Sequence, residues 1–148
     1  MKLKTINSPV QAVQDYIIEN NNIDGLFGDG KSIGKSPDVP IKHSFADQLY
    51  LRQMNLKKDY VIVGAIHNHL HAWFLLSGKV IINNNGEKIE HIAPCYTISE
   101  PGSKRLIYAL EDSVFVNVHK NPSNTQNIEE LENEIVSMTM EEYNNKTI

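Results

Sequence analysis

The chain has a single cysteine, Cys95, among 148 residues. No intrachain disulfide can form, and a reducing compartment suits the sequence. With no Cys-x-x-Cys partner nearby, Cys95 reads as a small buried hydrophobe. There is no run of about 18 apolar residues, so no membrane span is expected. Met1–Asn7 also lacks the apolar stretch of a signal peptide, and together these absences predict a cytoplasmic protein. Positive charge is not in excess either: the formal net charge is −4, which argues against binding a nucleic-acid phosphate backbone. The acidity is local. From Ser123 onward six glutamates face the one lysine Lys146, giving −5, so residues 1–122 carry +1. No Ser/His/Asp arrangement and no carboxylate pair stands out. Hydrolase or glycosidase chemistry of those kinds has no support, and the catalytic residues, if any, stay unknown.

What is present begins with a composition that is 41% hydrophobic and 22% charged, suited to one globular domain with a sizeable core. Ser8 and Pro9 followed by Val10, Val13, Ile17 and Ile18 predict a short helix, capped by Ser8 and ended by Asn20–Asn22. Residues 25–40 then hold Gly25, Gly28, Gly30, Gly34, Pro37 and Pro40, the composition of a long loop or arm. The string from Gly25 to Ser32 formally matches a P-loop, but no apolar strand precedes it and Gly34 and Pro37 forbid the helix that should follow.

From Gln48 onward strands dominate. Leu49, Leu51 and Gln53 share a face, and Tyr60–Val63 is β-branched. Ile66–Leu76, Val80–Asn83, Lys88–Ile92, Tyr96–Ser99, Arg105–Tyr108 and Val114–His119 follow, with turns at Asn84–Gly86, Ala93–Pro94, Pro101–Gly102 and Glu111–Asp112. About eight short strands at this spacing predict an all-β sandwich or barrel. After Pro122 the spacing of Ile128, Leu131, Ile135 and Met138 predicts an acidic amphipathic helix. Ser123 with Gln126 fits a capping box, and Thr125 or Asn127 would cap equally well. Docking of this helix on its own barrel is favoured over binding a partner. The organisation expected is an arm (1–45), a barrel (46–122) and a C-terminal helix (123–148) forming one structural domain.

Within the barrel, His67, His69 and His71 alternate. In an extended strand they would aim three imidazoles one way, and neutral imidazole is a common ligand for transition metals. Same-face neighbours on a straight strand lie about 6.5–7 Å apart, so two could converge on one ion while the third needs another role or a bulge. A further ligand must come from a facing strand or from water.

The segment Gly64–Gly78 resembles the first motif of the cupin superfamily: a glycine, two histidines two apart, a glutamate four residues later, and a glycine turn. Counted back from Gly78, His71 holds the glutamate's place. The histidine pair is then Ala65 and His67, or alternatively His67 and His69. The stretch Glu100-Pro101-Gly102-Ser103-Lys104-Arg105 resembles the turn of the second motif, with Arg105 where a histidine ligand is usual. Residues 60–135 are similar to small cupin-like proteins encoded by tailed phages.

The resemblance implies a double-stranded β-helix and a divalent transition metal (Zn, Fe, Mn or Ni) on His67, His69 and His71 with His119. It also implies a homo-oligomer, without nucleic-acid or membrane partners. Arg105, if inward, would anchor a small anionic ligand, and Trp73, Tyr96 and Tyr108 are expected as core or pocket wall. The function expected is metal binding with an anion pocket. The alternatives are a non-catalytic sequestering module or a phage virion or assembly scaffold.

Overall fold

Inward and outward side chains alternate along the longer strands, and this alternation decides what the barrel encloses. The computed structural model describes residues 9–19, 26–27, 38–84 and 86–147. Its elements are α1 (Pro9–Glu19), β1 (Leu26–Phe27), β2 (Ile41–Ala46), β3 (Leu49–Leu56), β4 (Val61–Val63), β5 (Ile66–His67), β6 (His71–Ser77), β7 (Lys79–Asn84), β8 (Glu87–Ile92), β9 (Cys95–Ser99), β10 (Arg105–Ala109) and β11 (Ser113–Lys120). They are followed by α2 (Ile128–Ile135), β12 (Val136–Ser137) and α3 (Met140–Thr147).

Two five-stranded sheets, β1-β4-β10-β7-β8 and β2-β3-β11-β6-β9, face each other. Only the β1–β4 pairing is parallel among the described strands of these sheets. The two inner faces interlock as one apolar core: Met54, Leu56, Trp73, Leu75 and Phe115 from one sheet meet Ile62, Val80, Ile82, Ile107 and Ala109 from the other. Gly78 turns β6 into β7 at φ +90, and a Cβ there would lie 2.4 Å from the Asp112 carbonyl oxygen, so both conformation and space require glycine. Helix α1 covers the outside of the first sheet, where Val10 is buried against Val63 with Val13 and Leu106 alongside.

Two departures from the sequence reading stand out. Ile41–Ala46, assigned there to the arm, is the edge strand β2, pairing with β3 from Ile41↔Met54 to Ala46↔Leu49. The one long C-terminal helix is instead two helices of eight residues each, separated by β12. Tertiary pairing overrides the helical pattern there, because Val136 and Ser137 pair with His67 and Ile66. Of the proposed caps Asn127 serves, its side chain accepting from the Glu130 N–H at 3.1 Å. The helix docks on its own barrel, burying Leu131 and Ile135 against Tyr50. Of the glycine-rich stretch 25–40 only β1 and residues 38–40 are described; the rest of the P-loop-like string lies outside the described residues, as does Ser8.

Candidate metal centre

The His67–His71 run is not one strand. Pairing stops after His67 and resumes at His71, leaving Asn68–Leu70 outside any strand. This interruption brings the His67 and His71 rings to 4.3 Å between centroids, closer than alternate positions of a straight strand allow. His119, near the end of β11, completes the group from the strand that pairs with β6 in the same sheet, with ring centroids 4.7 Å from His71 and 5.8 Å from His67. One nitrogen from each of the three rings lies within 4.8 Å of the others. His69 is outside the group, half-buried near Lys120 and Glu134.

Backbone pairing holds His67 on both edges. Its N–H donates to the Ser103 carbonyl at 3.0 Å and its carbonyl accepts from the Gly102 N–H at 2.7 Å. The Pro101–Gly102 turn therefore serves the site even though it carries no histidine ligand. On the other side His67 pairs with Val136. Between the two histidines, Asn68 is buried and bonded at three atoms: its N–H donates to Ile135 O at 2.7 Å, Nδ2 donates to Glu134 O at 2.9 Å, and Oδ1 accepts from Ser137 Oγ at 2.7 Å. The residue that separates the histidines thus fastens the C-terminal segment over them.

His67, His71 and His119 are 8%, 5% and 4% exposed. Burial is the first cause that lowers the pKa of each, and the Arg105 charge adds to it; His71 is brought down to about 4. At neutral pH all three rings are therefore uncharged, the form that ligates metal. His67 Nδ1 is buried with no hydrogen-bond partner, as a nitrogen reserved for an absent ligand would be.

Arg105 projects inward from β10, 4% exposed, with Phe115 under its guanidinium at 5.5 Å. Nη2 donates to Asn117 Oδ1 at 3.0 Å, and His71 Nε2 lies 3.2 Å from the same oxygen. Because a guanidinium only donates, that Asn117 atom is the oxygen, and it accepts from His71 Nε2 in the tautomer that carries its proton there. Arg105 Nε and Nη1 are buried and unpartnered. Burial lowers the Arg105 pKa to about 10, which leaves it charged at neutral pH.

His67, His119, Arg105 and Asn117 line a cavity of about 70 Å³, with Tyr50, Met54, Ile62 and Ile107 as apolar wall. His71 stands behind its two partners. Helix α2 and β12 close the mouth with Glu132, Ile135 and Val136, and Glu132 pairs with Arg52 at 3.7 Å. The donor set of three neutral imidazoles on converging elements fits a divalent transition metal with an open position.

Of the three aromatics expected as core or pocket wall, one is core and two face outward. Trp73 is core, stacked on Phe115 with centroids 4.9 Å apart. Tyr108 faces outward and donates its hydroxyl to Asp59 Oδ1 at 2.9 Å. Tyr96 is 68% exposed on the outer face of its sheet against Phe74. The reason is register: β9 and β10 alternate, and both tyrosines fall on outward positions. Residues missed at the sequence level are Tyr50, Arg52, Asn68, Asn117 and Glu132. Asn117 was open to discovery, being two residues before His119 on the same face of one strand.

The chain is a double-stranded β-helix of the cupin type. Its fold is similar to KdgF from Halomonas sp. (TM-score 0.51, 16% identity, covering 58% of this chain and 82% of that one). It is similar too to an uncharacterised conserved protein with a double-stranded β-helix domain from Klebsiella pneumoniae (0.52, 17% identity, 61% and 83%). An RmlC-like cupin from Shewanella frigidimarina matches at 0.51 with 13% identity, covering 63% and 82%. These likenesses establish the fold alone. No protein-family model and no curated protein matches the sequence.

Proposed function

We propose that the protein binds a divalent transition metal through His67, His71 and His119 and holds a small anion beside it on Arg105. The observation that carries this reading is the convergence of three buried imidazole nitrogens within 4.8 Å of one another, next to a buried guanidinium with unused donors. A metal there would supply Lewis acidity to an oxygen of the bound anion. The chain's own part is to bind and orient. Arg105 takes the anion's charge, Asn117 fixes both Arg105 and His71, and Glu132, Ile135 and Val136 limit water at the mouth.

Elemental analysis of protein purified without a histidine tag tests the reading. About one equivalent of metal is expected; less than about 0.2 equivalents, unchanged by His67→Ala, overturns it.

One observation favours sequestration without turnover as a second reading. Among the described residues the cavity's only carboxylate is Glu132, which is engaged by Arg52, so no free carboxylate base faces the anion. Mass spectrometry of small molecules released on denaturation separates the two: an intact anion recovered after prolonged incubation favours sequestration, and a converted product favours catalysis.

The outer face of the second sheet supports self-association. Leu49, Phe74, Leu76, Tyr96 and Ile98 are large, apolar and exposed there, and an apolar face of this kind favours burial against a second copy. Sedimentation of Phe74→Glu with Leu76→Lys is expected to show monomer where the parent shows dimer. A phage origin, which the motif resemblance of residues 60–135 implies, would place this action in a host cytoplasm.

A further inference from the structure

The charge of the cavity narrows what it accepts. Among the described residues no aspartate or glutamate is buried, whereas Arg105 is. The three histidines are neutral when they ligate a metal, and Glu132 is committed to Arg52. With a divalent ion in place the cavity would hold a charge of about +3, from the ion and the guanidinium, with no carboxylate to offset it. Water leaves that charge untouched, and a monoanion removes only a third of it. Geometry joins the two positive centres: Arg105 Nη2 and His71 Nε2 lie 3.0 and 3.2 Å from the single oxygen of Asn117. The guanidinium and the histidine cluster are therefore near enough for one compact molecule to touch both. The cavity of about 70 Å³ is the room of a few waters and admits only a compact molecule.

We propose that the occupant of this cavity is a compact dianion, a short dicarboxylate or a phosphate-like oxyanion, with one charged group on the metal side and the other on Arg105. The proposal rests on the metal-binding reading above. It assigns selectivity to the missing carboxylate: a site with its own buried glutamate would be satisfied by a monoanion, and this one is not.

Calorimetric titration of the zinc-loaded protein tests it, with malonate against malonamate, a near-isosteric pair differing by one charge, and with inorganic phosphate as a separate arm. Zinc is measured before and after each titration. Malonate or phosphate is expected to bind at least about tenfold more tightly than malonamate, the order expected for one unit charge at close range. In Arg105→Gln the preference should fall severalfold while zinc stays near one equivalent. Arg105→Lys, which keeps the charge and tests folding, should retain part of it. Phosphate binding above malonate assigns the dianion to the phosphate class, and the reverse assigns it to dicarboxylates. Equal binding of malonate and malonamate by zinc-loaded protein, or a preference untouched in Arg105→Gln, overturns the proposal alone. Failure to take up zinc overturns the metal-binding reading beneath it.

Discussion

The two ends of the barrel are built on the same strands and obey opposite rules. Along β11 the inward residues run Phe115, then Asn117, then His119; along β6 they run Leu75, Trp73, His71; along β10, Ala109, Ile107, Arg105. One end is dry and interlocked, the other polar, partly unsatisfied and closed by a separate helix. Register places the change at one level, because Phe115 pairs with Leu75 and Met54 while Asn117 pairs with Trp73 and Arg52. The dry end provides rigidity. The polar end leaves buried nitrogens without protein partners, at a free-energy cost that a bound ligand or water would offset.

The comparison is tested most strongly by removing a member from each end. His119→Ala should abolish metal uptake, from about one equivalent to below about 0.2, with the fold retained by circular dichroism. Phe115→Ala at the dry end should cost about 3–5 kcal/mol in urea unfolding and leave the metal stoichiometry unchanged. Loss of metal from Phe115→Ala protein that is still folded would show that the ends are not separable.

Asn68→Ala removes the fastening of the C-terminal segment over the polar end. It leaves Ser137 Oγ and the Glu134 carbonyl without this partner, an expected loss of about 1–3 kcal/mol. Hydrogen exchange should rise over residues 128–137 and stay unchanged over β7 and β8.

pH separates the ends in metal-free protein. His67, His71 and His119 have pKa values below the ordinary 6.5 because burial disfavours their charged forms, and His71 is near 4. Between the folded and unfolded values the unfolded chain binds more protons, so stability rises with pH. Their contribution is full above about 6.5 and declines as pH falls toward 4 and below. Urea midpoints at pH 7.5, 6, 5 and 4.5 should fall accordingly. His71→Asn should flatten the curve, and an unaltered slope would remove the histidines as its cause. The smallest effect belongs to Glu132→Gln. The Arg52–Glu132 pair is 3.7 Å apart with side chains 14% and 21% exposed, and its loss should lower stability by no more than about 1 kcal/mol.

Much of the barrel was legible because period-two alternation is written directly into strands such as Val114–His119. β2 carried the same signal in Ile41, His43 and Phe45, but nearby Pro40 and polar neighbours obscured it. The inward placement of Arg105, at the usual histidine position, was legible only through the motif resemblance. The outward placement of Tyr96 and Tyr108 was not, because a one-residue change of register exchanges the two faces.

The C-terminal helix pattern misled for a different reason. Val136 and Ser137 pair with Ile66 and His67, roughly 70 positions earlier, and no local period encodes a contact that distant.

By itself the sequence determined the architecture, since alternation, glycine turns and a lone cysteine leave few folds open to it. It also supplied the three imidazoles. Which of them meet was decided by tertiary structure: a break in pairing after His67, a neighbouring strand bearing His119 and a C-terminal segment fastened through Asn68. Side-chain type is a local property, whereas convergence depends on register between strands far apart in the chain.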